Sequence, residues 1–226
     1  MAKKKKRVKR RLKIRNILIA LGIVISFTGI VYYVINLPIK NIYVIGNEVM
    51  DDSVILDEAK ISNYPSFILS FSNVLESRIK KDPYVKEVKI KKKWFGKVYI
   101  YITENKALCI ESATGKVILE NGKKVDNNYN IDSVPYLIND VTDVYKNFIK
   151  KFNLVNKDIL LQISEINYLP VNVDKERFYL SMNDGNYVYI TLTKIKRLNK
   201  YGEIKEELQG KNGIVYLDSG NYIEIK

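Results

Sequence analysis

The stretch "DPYVKEVKIKKKWFGKVYIYIT", residues 82–103, decides the fold. Asp82-Pro83 halts whatever helix precedes it, because proline disfavours helical backbone in the residue before it. Past that stop, Val88 and Ile90 alternate with Lys89 and Lys91, the period of two that places one row inward and the other in water. Trp94-Phe95-Gly96 then reads as a turn. The return segment repeats the alternation with Val98, Ile100 and Ile102 on one face. This is a β-hairpin with a single buried face.

Working upstream, "NVLESRIKK" reads as a short helix with Leu75 and Ile79 on one face and with capping-box spacing between Asn73 and Glu76. Before it, "DDSVILDEAKI" predicts another, with Asp52 or Ser53 as the cap. "IKNIYVIGN", residues 39–47, is a short apolar strand ending on a Gly-Asn turn signal. The order is strand, helix, helix, strand, strand, a small α+β unit.

Further upstream, "ILIALGIVISFTGIVYYVI" spans residues 17–35 without a charged side chain. As a helix it covers roughly 28 Å, close to the hydrocarbon thickness of a bilayer. Ahead of it, ten of the thirteen residues in "KKKKRVKRRLKIR" are Lys or Arg. The whole chain carries +13, so the body beyond this tail is only mildly basic. The charge is local, and against the single Lys40 beyond the helix it predicts a cytoplasmic N-terminus with residues 38–226 outside. The positive tail is an orientation signal that can also touch anionic lipid, and nucleic acid is not expected as a partner.

Downstream, strands dominate. "KVILENGKKV" is a hairpin at Asn121-Gly122, and "SVPYLI" and "LLQISEI" are strands separated by a helical "DVYKNFIKKFNLV". A second hairpin turns at Asn183-Asp184-Gly185. Ile195, Leu198, Tyr201, Ile204 and Leu208 predict an amphipathic helix, and the chain closes with "GIVYL" and "NYIEI" around Asp218-Ser219-Gly220. The expected division is a basic tail over 1–15, a transmembrane helix over 16–37, a first domain over 38–104 and a β domain over 105–226.

The chemistry is narrow. With no histidine and one cysteine, Cys109, the chain lacks His-based triads, His-ligated zinc and any intramolecular disulfide. Ser77-Arg78-Ile79-Lys80 matches the S-x-x-K of penicillin-binding enzymes and Ser181-Met182-Asn183 matches S-x-N, but no Lys-Thr/Ser-Gly follows. Neither a catalytic site nor a cofactor, metal or small-molecule substrate is expected.

The β-α-α-β-β order, with "IKNIYVIGNEVMDDSVILDEAKI" opening it and "SRIKKDPYVKEVKIKKKWFGKVYIYITENKAL" closing it, resembles a polypeptide-transport-associated (POTRA) domain. One such domain directly after a single anchored helix resembles the FtsQ/DivIB family of bacterial cell-division proteins, on its DivIB side. The resemblance implies a non-catalytic single-pass scaffold of the division septum, with a β-rich second domain. It implies FtsL-like and FtsB/DivIC-like partners, and a link to the septal peptidoglycan synthase. Carried onto matching positions, it implicates Asp218, Ser219, Gly220, Tyr222, Ile223 and Ile225 in partner binding. The alternative is an anchored POTRA protein of translocation or chaperone-like function. A second candidate patch, Lys89, Lys91, Lys92, Lys93 and Trp94, is either a lysine-protected strand edge or a surface for anionic polymer, lipid or an acidic partner segment.

Overall fold

The computed structural model describes residues 14–220 and 222–225; most of the basic tail lies outside them. Helix α1 (Ile14–Ile35) has no buried residue and carries no charged side chain beyond Arg15 in its first turn. Beyond it comes a three-stranded sheet under two helices. The elements are β1 (Asn41–Ile45), α2 (Asp52–Ala59), α3 (Ser72–Ile79), β2 (Val85–Lys93) and β3 (Lys97–Glu104). The strand order is β1-β3-β2, with β1 parallel to β3 and β2 antiparallel to it. Val98, Ile100 and Ile102 point under the helices with Ile55, Leu75 and Ile79, so both alternation rows of the hairpin fall as read. Gly46 follows β1 at φ +96, and a Cβ there would sit 2.4 Å from the Ile102 carbonyl oxygen, so the turn admits only glycine.

The helix caps differ from expectation. Asp51 occupies the position before α2, and Asp52 lies in its first turn, where its carboxylate accepts from Asn47 Nδ2 at 2.9 Å. No capping box forms on α3. Asn73 Oδ1 takes only the adjacent Val74 amide, and Glu76 instead accepts the Ile90 amide at 2.6 Å, fastening α3 to β2. A long-range partner outcompetes the local one because it satisfies a strand amide that would otherwise be buried unpaired.

The remaining strands form one nine-stranded sheet. They are β4 (Ala107–Glu111), β5 (Val117–Leu119), β6 (Lys124–Val125), β7 (Tyr136–Leu137), β8 (Ile163–Tyr168), β9 (Arg177–Met182), β10 (Tyr187–Thr191), β11 (Gly213–Tyr216) and β12 (Tyr222–Ile225). Their spatial order is β12-β11-β10-β9-β8-β7-β4-β5-β6, mostly antiparallel, with parallel pairs at β4–β7, β7–β8 and β10–β11. Helices α4 (Tyr145–Phe152), the single turn α5 (Lys157–Leu160) and α6 (Tyr201–Glu207) complete this region. Phe148, Phe152 and Phe178 meet at centroid distances of 4.4 to 5.9 Å in its core. Cys109 is buried there, and burial pushes its thiol well above the ordinary range, leaving it unreactive.

The predicted amphipathic helix is two structures. Leu192–Lys200 is a 3₁₀ helix, and only Tyr201–Glu207 is α-helical. Leu192, Ile195, Leu198 and Tyr201 recur at intervals of three, and all are buried. An exact period of three stacks side chains along a 3₁₀ helix, whereas an α-helix would carry them off the core.

The core also crosses the division expected after residue 104. Ile110, Val117, Leu119 and Val134 pack into the cluster under α2 and α3. Tyr84 donates to the Asp126 carbonyl at 3.0 Å, Tyr129 donates to Asp82 at 2.6 Å, and their rings meet edge-on. The Glu104 carboxylate accepts from the backbone amides of Glu48, Val49 and Met50.

Candidate functional site: the C-terminal sheet edge

Among the described residues strand β12 pairs on one side only, with β11, and so presents a sheet edge along its other side. Tyr222 and Ile225 are 60% and 53% exposed, while Ile223 turns inward against the core. Close approach sets this edge: Gly213 lies opposite Ile225, and a Cβ at Gly213 would stand 2.6 Å from the Glu224 carbonyl oxygen.

The turn before β12 is held from within. Arg177 Nε donates to Asp218 Oδ2 at 2.7 Å, and its guanidinium lies 4.2 Å from the Tyr189 ring centroid. Asp218 Oδ1 accepts from the Ser219 amide at 2.7 Å, the Lys194 ammonium donates to the Asp218 carbonyl, and Arg197 reaches the Gly220 carbonyl at 3.1 Å. Burial alone would raise the Asp218 pKa. The hydrogen bonds from Arg177 and Ser219 outweigh it and hold the carboxyl below the usual range. The six residues implicated in partner binding therefore divide. Asp218, Ser219 and Gly220 form a clamped turn that aims β12, and Tyr222, Ile223 and Ile225 are the strand it presents.

Two features beside this edge were absent from the sequence reading. On the outer face a row of tyrosines crosses four strands. Tyr179 lies 5.3 Å from Tyr187 and 4.8 Å from Tyr189, Tyr189 stacks on Tyr216 at 5.2 Å, and Tyr216 meets Tyr222 at 5.6 Å. Their alternation in "YLSMNDGNYVY" was the available signal. On the other face a cleft of about 190 Å³ opens between α6 and the last strands, lined by Arg197, Glu203, Ile204, Val215 and Ile223 among others. The basic clamp had no local signal, since Arg177 on β9 is remote in sequence from Lys194 and Arg197, and all three are remote from the turn they hold.

The lysine patch also divides. Lys89, Lys91 and Lys93 are exposed on the outer sheet face, with Lys91 and Lys93 over the rings of Tyr101 and Tyr99. Lys92 belongs to the inward row. Its ammonium donates to the carbonyls of Phe67 and, at 2.9 Å, Ser70, and lies 4.4 Å from the Phe67 ring centroid. Burial lowers its pKa. It is an internal fastening. Trp94 at the hairpin tip is 87% exposed. The Ser77 hydroxyl donates to the Val74 carbonyl at 2.8 Å within its own helix, and Ser181 lies at 3.5 Å from Glu165. No group of three or more His, Cys, Asp or Glu positioned to hold a metal occurs among the described residues.

One candidate membrane-spanning helix, a β-α-α-β-β domain and a β-rich region define an α+β protein of the POTRA class. The family model for the FtsQ-type POTRA domain matches residues 37–105. Two relatives are cell division proteins DivIB. That of Bacillus anthracis is 29% identical over 81% of this chain and 72% of its own length. That of Listeria monocytogenes is 26% identical over 97% and 85%. The solved extracytoplasmic domain of the trans isomer of DivIB from Geobacillus stearothermophilus aligns at 23% identity and a TM-score of 0.39, covering 47% of this chain and 96% of that domain. Residues 37–105 thus match an FtsQ-type POTRA domain, and over most of its length the chain is similar to cell division proteins DivIB.

Proposed function

We propose that the chain is a non-catalytic, single-pass scaffold of the division septum that captures partner chains on the β12 edge. Its N-terminus lies in the cytoplasm and its folded region outside. The partners are FtsL-like and FtsB/DivIC-like proteins, and through them the scaffold stabilises or regulates septal peptidoglycan synthesis. The observation carrying this reading is the short, open β12, aimed by a clamped turn and carrying exposed Tyr222 and Ile225. An added strand would satisfy its free backbone groups, and the side chains would set specificity. The tyrosine row and the adjoining cleft supply apolar area on both faces of the edge. The charge asymmetry about α1, dense before it and sparse after it, supports the orientation.

The test is a photo-crosslinking amino acid placed at 222 or 225 in dividing cells. Crosslinks to a DivIC-like or FtsL-like chain are expected. A full-length, septally localised protein that crosslinks to such chains from position 91 but not from 222 or 225 would overturn the assignment of the edge.

A further inference from the structure

Helix α1 does not hang from a linker. Its last residue is Ile35, and Ile39 is already buried in the POTRA core, so at most about 14 Å of extended chain separates them. Hydrogen bonds shorten even that. The Ser66 hydroxyl donates to the Ile35 carbonyl, the Phe67 amide to the Leu37 carbonyl at 2.8 Å, and the Ile39 amide to the Pro65 carbonyl at 2.9 Å. The uncharged part of α1, residues 17–35, spans roughly 28 Å, close to the thickness of a hydrocarbon core, which places Ile35 at the headgroup boundary. The loop over residues 65–71 is bonded directly to that helix end.

The β2–β3 hairpin tip comes to the same place. Lys40 donates its amide to the Gly96 carbonyl at 2.8 Å, and a Cβ on Gly96 would lie 3.1 Å from the Pro38 carbonyl oxygen. Lys92 ties the two segments together through the Phe67 and Ser70 carbonyls. What they leave outside is apolar: Leu69 and Phe71 are 54% and 58% exposed, and Trp94 and Phe95 are 87% and 82% exposed. Phe95 holds a left-handed φ of 66, a strained way to keep a large ring in water. Lys40 and Lys93 flank them.

We infer that Leu69, Phe71, Trp94 and Phe95 form a foot that rests in the headgroup region of the leaflet where α1 ends. Aromatic rings favour that depth, and the flanking lysines favour anionic headgroups. The occupant is lipid because the short segment 37–40 that follows α1 is fastened to both loops and leaves no room to lift them clear of the bilayer. The foot thereby fixes the tilt of the folded region, and with it the direction in which β12 faces. The inference rests on α1 crossing the membrane but not on which end is cytoplasmic, nor on β12 binding any partner.

Trp94 is the sole tryptophan, so the full chain reports on the foot directly. It is reconstituted into nanodiscs, one chain per disc, with phosphatidylglycerol or phosphatidylcholine alone, with and without bromination high on the acyl chains. Resistance to alkaline extraction from vesicles checks separately that α1 spans. Roughly half of the Trp94 emission is expected to be lost to brominated lipid, and more in the anionic discs, as for a ring at the interface. The variant Trp94→Phe/Phe71→Trp, carrying the reporter in the other loop, is expected to respond likewise. A spanning chain whose emission is indifferent to bromination at either position would overturn the foot, and equal loss in both lipids would overturn the role of the lysines. A Trp94 shielded from acrylamide yet unquenched by bromolipid would place the ring against the chain's own residues and not against lipid, also overturning it.

Discussion

Strands β2 and β12 are both edges, each pairing with one neighbour, yet they are built in opposite ways. β2 is nine residues long and exposes Lys86, Lys89, Lys91 and Lys93. Alternating lysines on an edge repel another strand and its charges, a common defence against unwanted pairing. β12 has four residues, and Glu224 is its only charged one. Brevity is its sole protection. It is also backed by a salt bridge, a 3₁₀ helix and a ring row, which is heavy support for a four-residue strand. On the reading proposed above, the contrast is between an edge closed to partners by charge and one held rigid and left open.

The largest effect that could break this comparison is loss of the support itself. Phe178→Ala empties the junction of Phe148, Phe152 and Tyr168 and should cost about 3–5 kcal/mol by urea denaturation. Because strands β4 and β5 contribute side chains both to this core and to the one under α2 and α3, the POTRA elements should unfold in the same transition. A separate POTRA transition would show the two edges to be independent.

Asp218→Ala strands the half-buried Arg177 and frees the turn. A loss of about 1–3 kcal/mol is expected, with amide exchange in β12 rising and exchange in β2 unchanged. Equal acceleration in both strands would mean that the turn supports the whole fold rather than the edge.

A smaller effect lies at the seam. One carboxylate oxygen of Glu58 is buried without a hydrogen-bond partner, and burial together with the nearby Asp82 charge pushes its pKa up to about 7. A raised carboxylate pKa means the folded state binds the proton more tightly. Its stabilising contribution is therefore complete below the unfolded value near 4.5 and is lost as pH rises through about 7. Glu58→Gln should consequently be the more stable form at pH 8 and show little advantage at pH 5. Partial exposure limits the difference to about 1 kcal/mol. Identical pH profiles of thermal unfolding would remove Glu58 from the seam.

The smallest change in stability carries the sharpest lesson about the edges. Tyr222→Lys with Ile225→Lys puts a lysine on each face of β12, charging it as β2 is charged. Stability should move by no more than about 0.5 kcal/mol, since both side chains are exposed. Co-purification of the proposed DivIC-like partner should nevertheless collapse. Undiminished capture would show that charge does not distinguish the edges.

The sequence was most legible where a structural signal was local. Alternation in residues 85–103, the Asn121-Gly122 and Asn183-Asp184-Gly185 turns and the apolar run of α1 each report their own neighbourhood, and each falls where it was read. What escaped was set at a distance. Lys92 looks like its neighbours in "KIKKK", but strand parity turns it inward to carbonyls 22 and 25 residues away. Glu76 has capping-box spacing, yet a strand amide across the domain takes its carboxylate. Asp218 looks like an exposed turn residue until Arg177 arrives from β9. The order β12-β11-β10-β9-β8-β7-β4-β5-β6, with β7 inserted between β4 and β8, follows from how β5 and β6 stack beside β4, and no short motif encodes it. Of the site, the strand could be read and its support could not.

The central claim is that β12 is the edge a partner completes. Hydrogen exchange of the full chain, measured alone and with a DivIC-like partner, tests it most directly. Amides of residues 222–225 should gain protection on binding, and those of residues 85–93 should not. A stable complex in which β12 exchanges as fast as in the free protein, or in which protection falls on β2 instead, would contradict it.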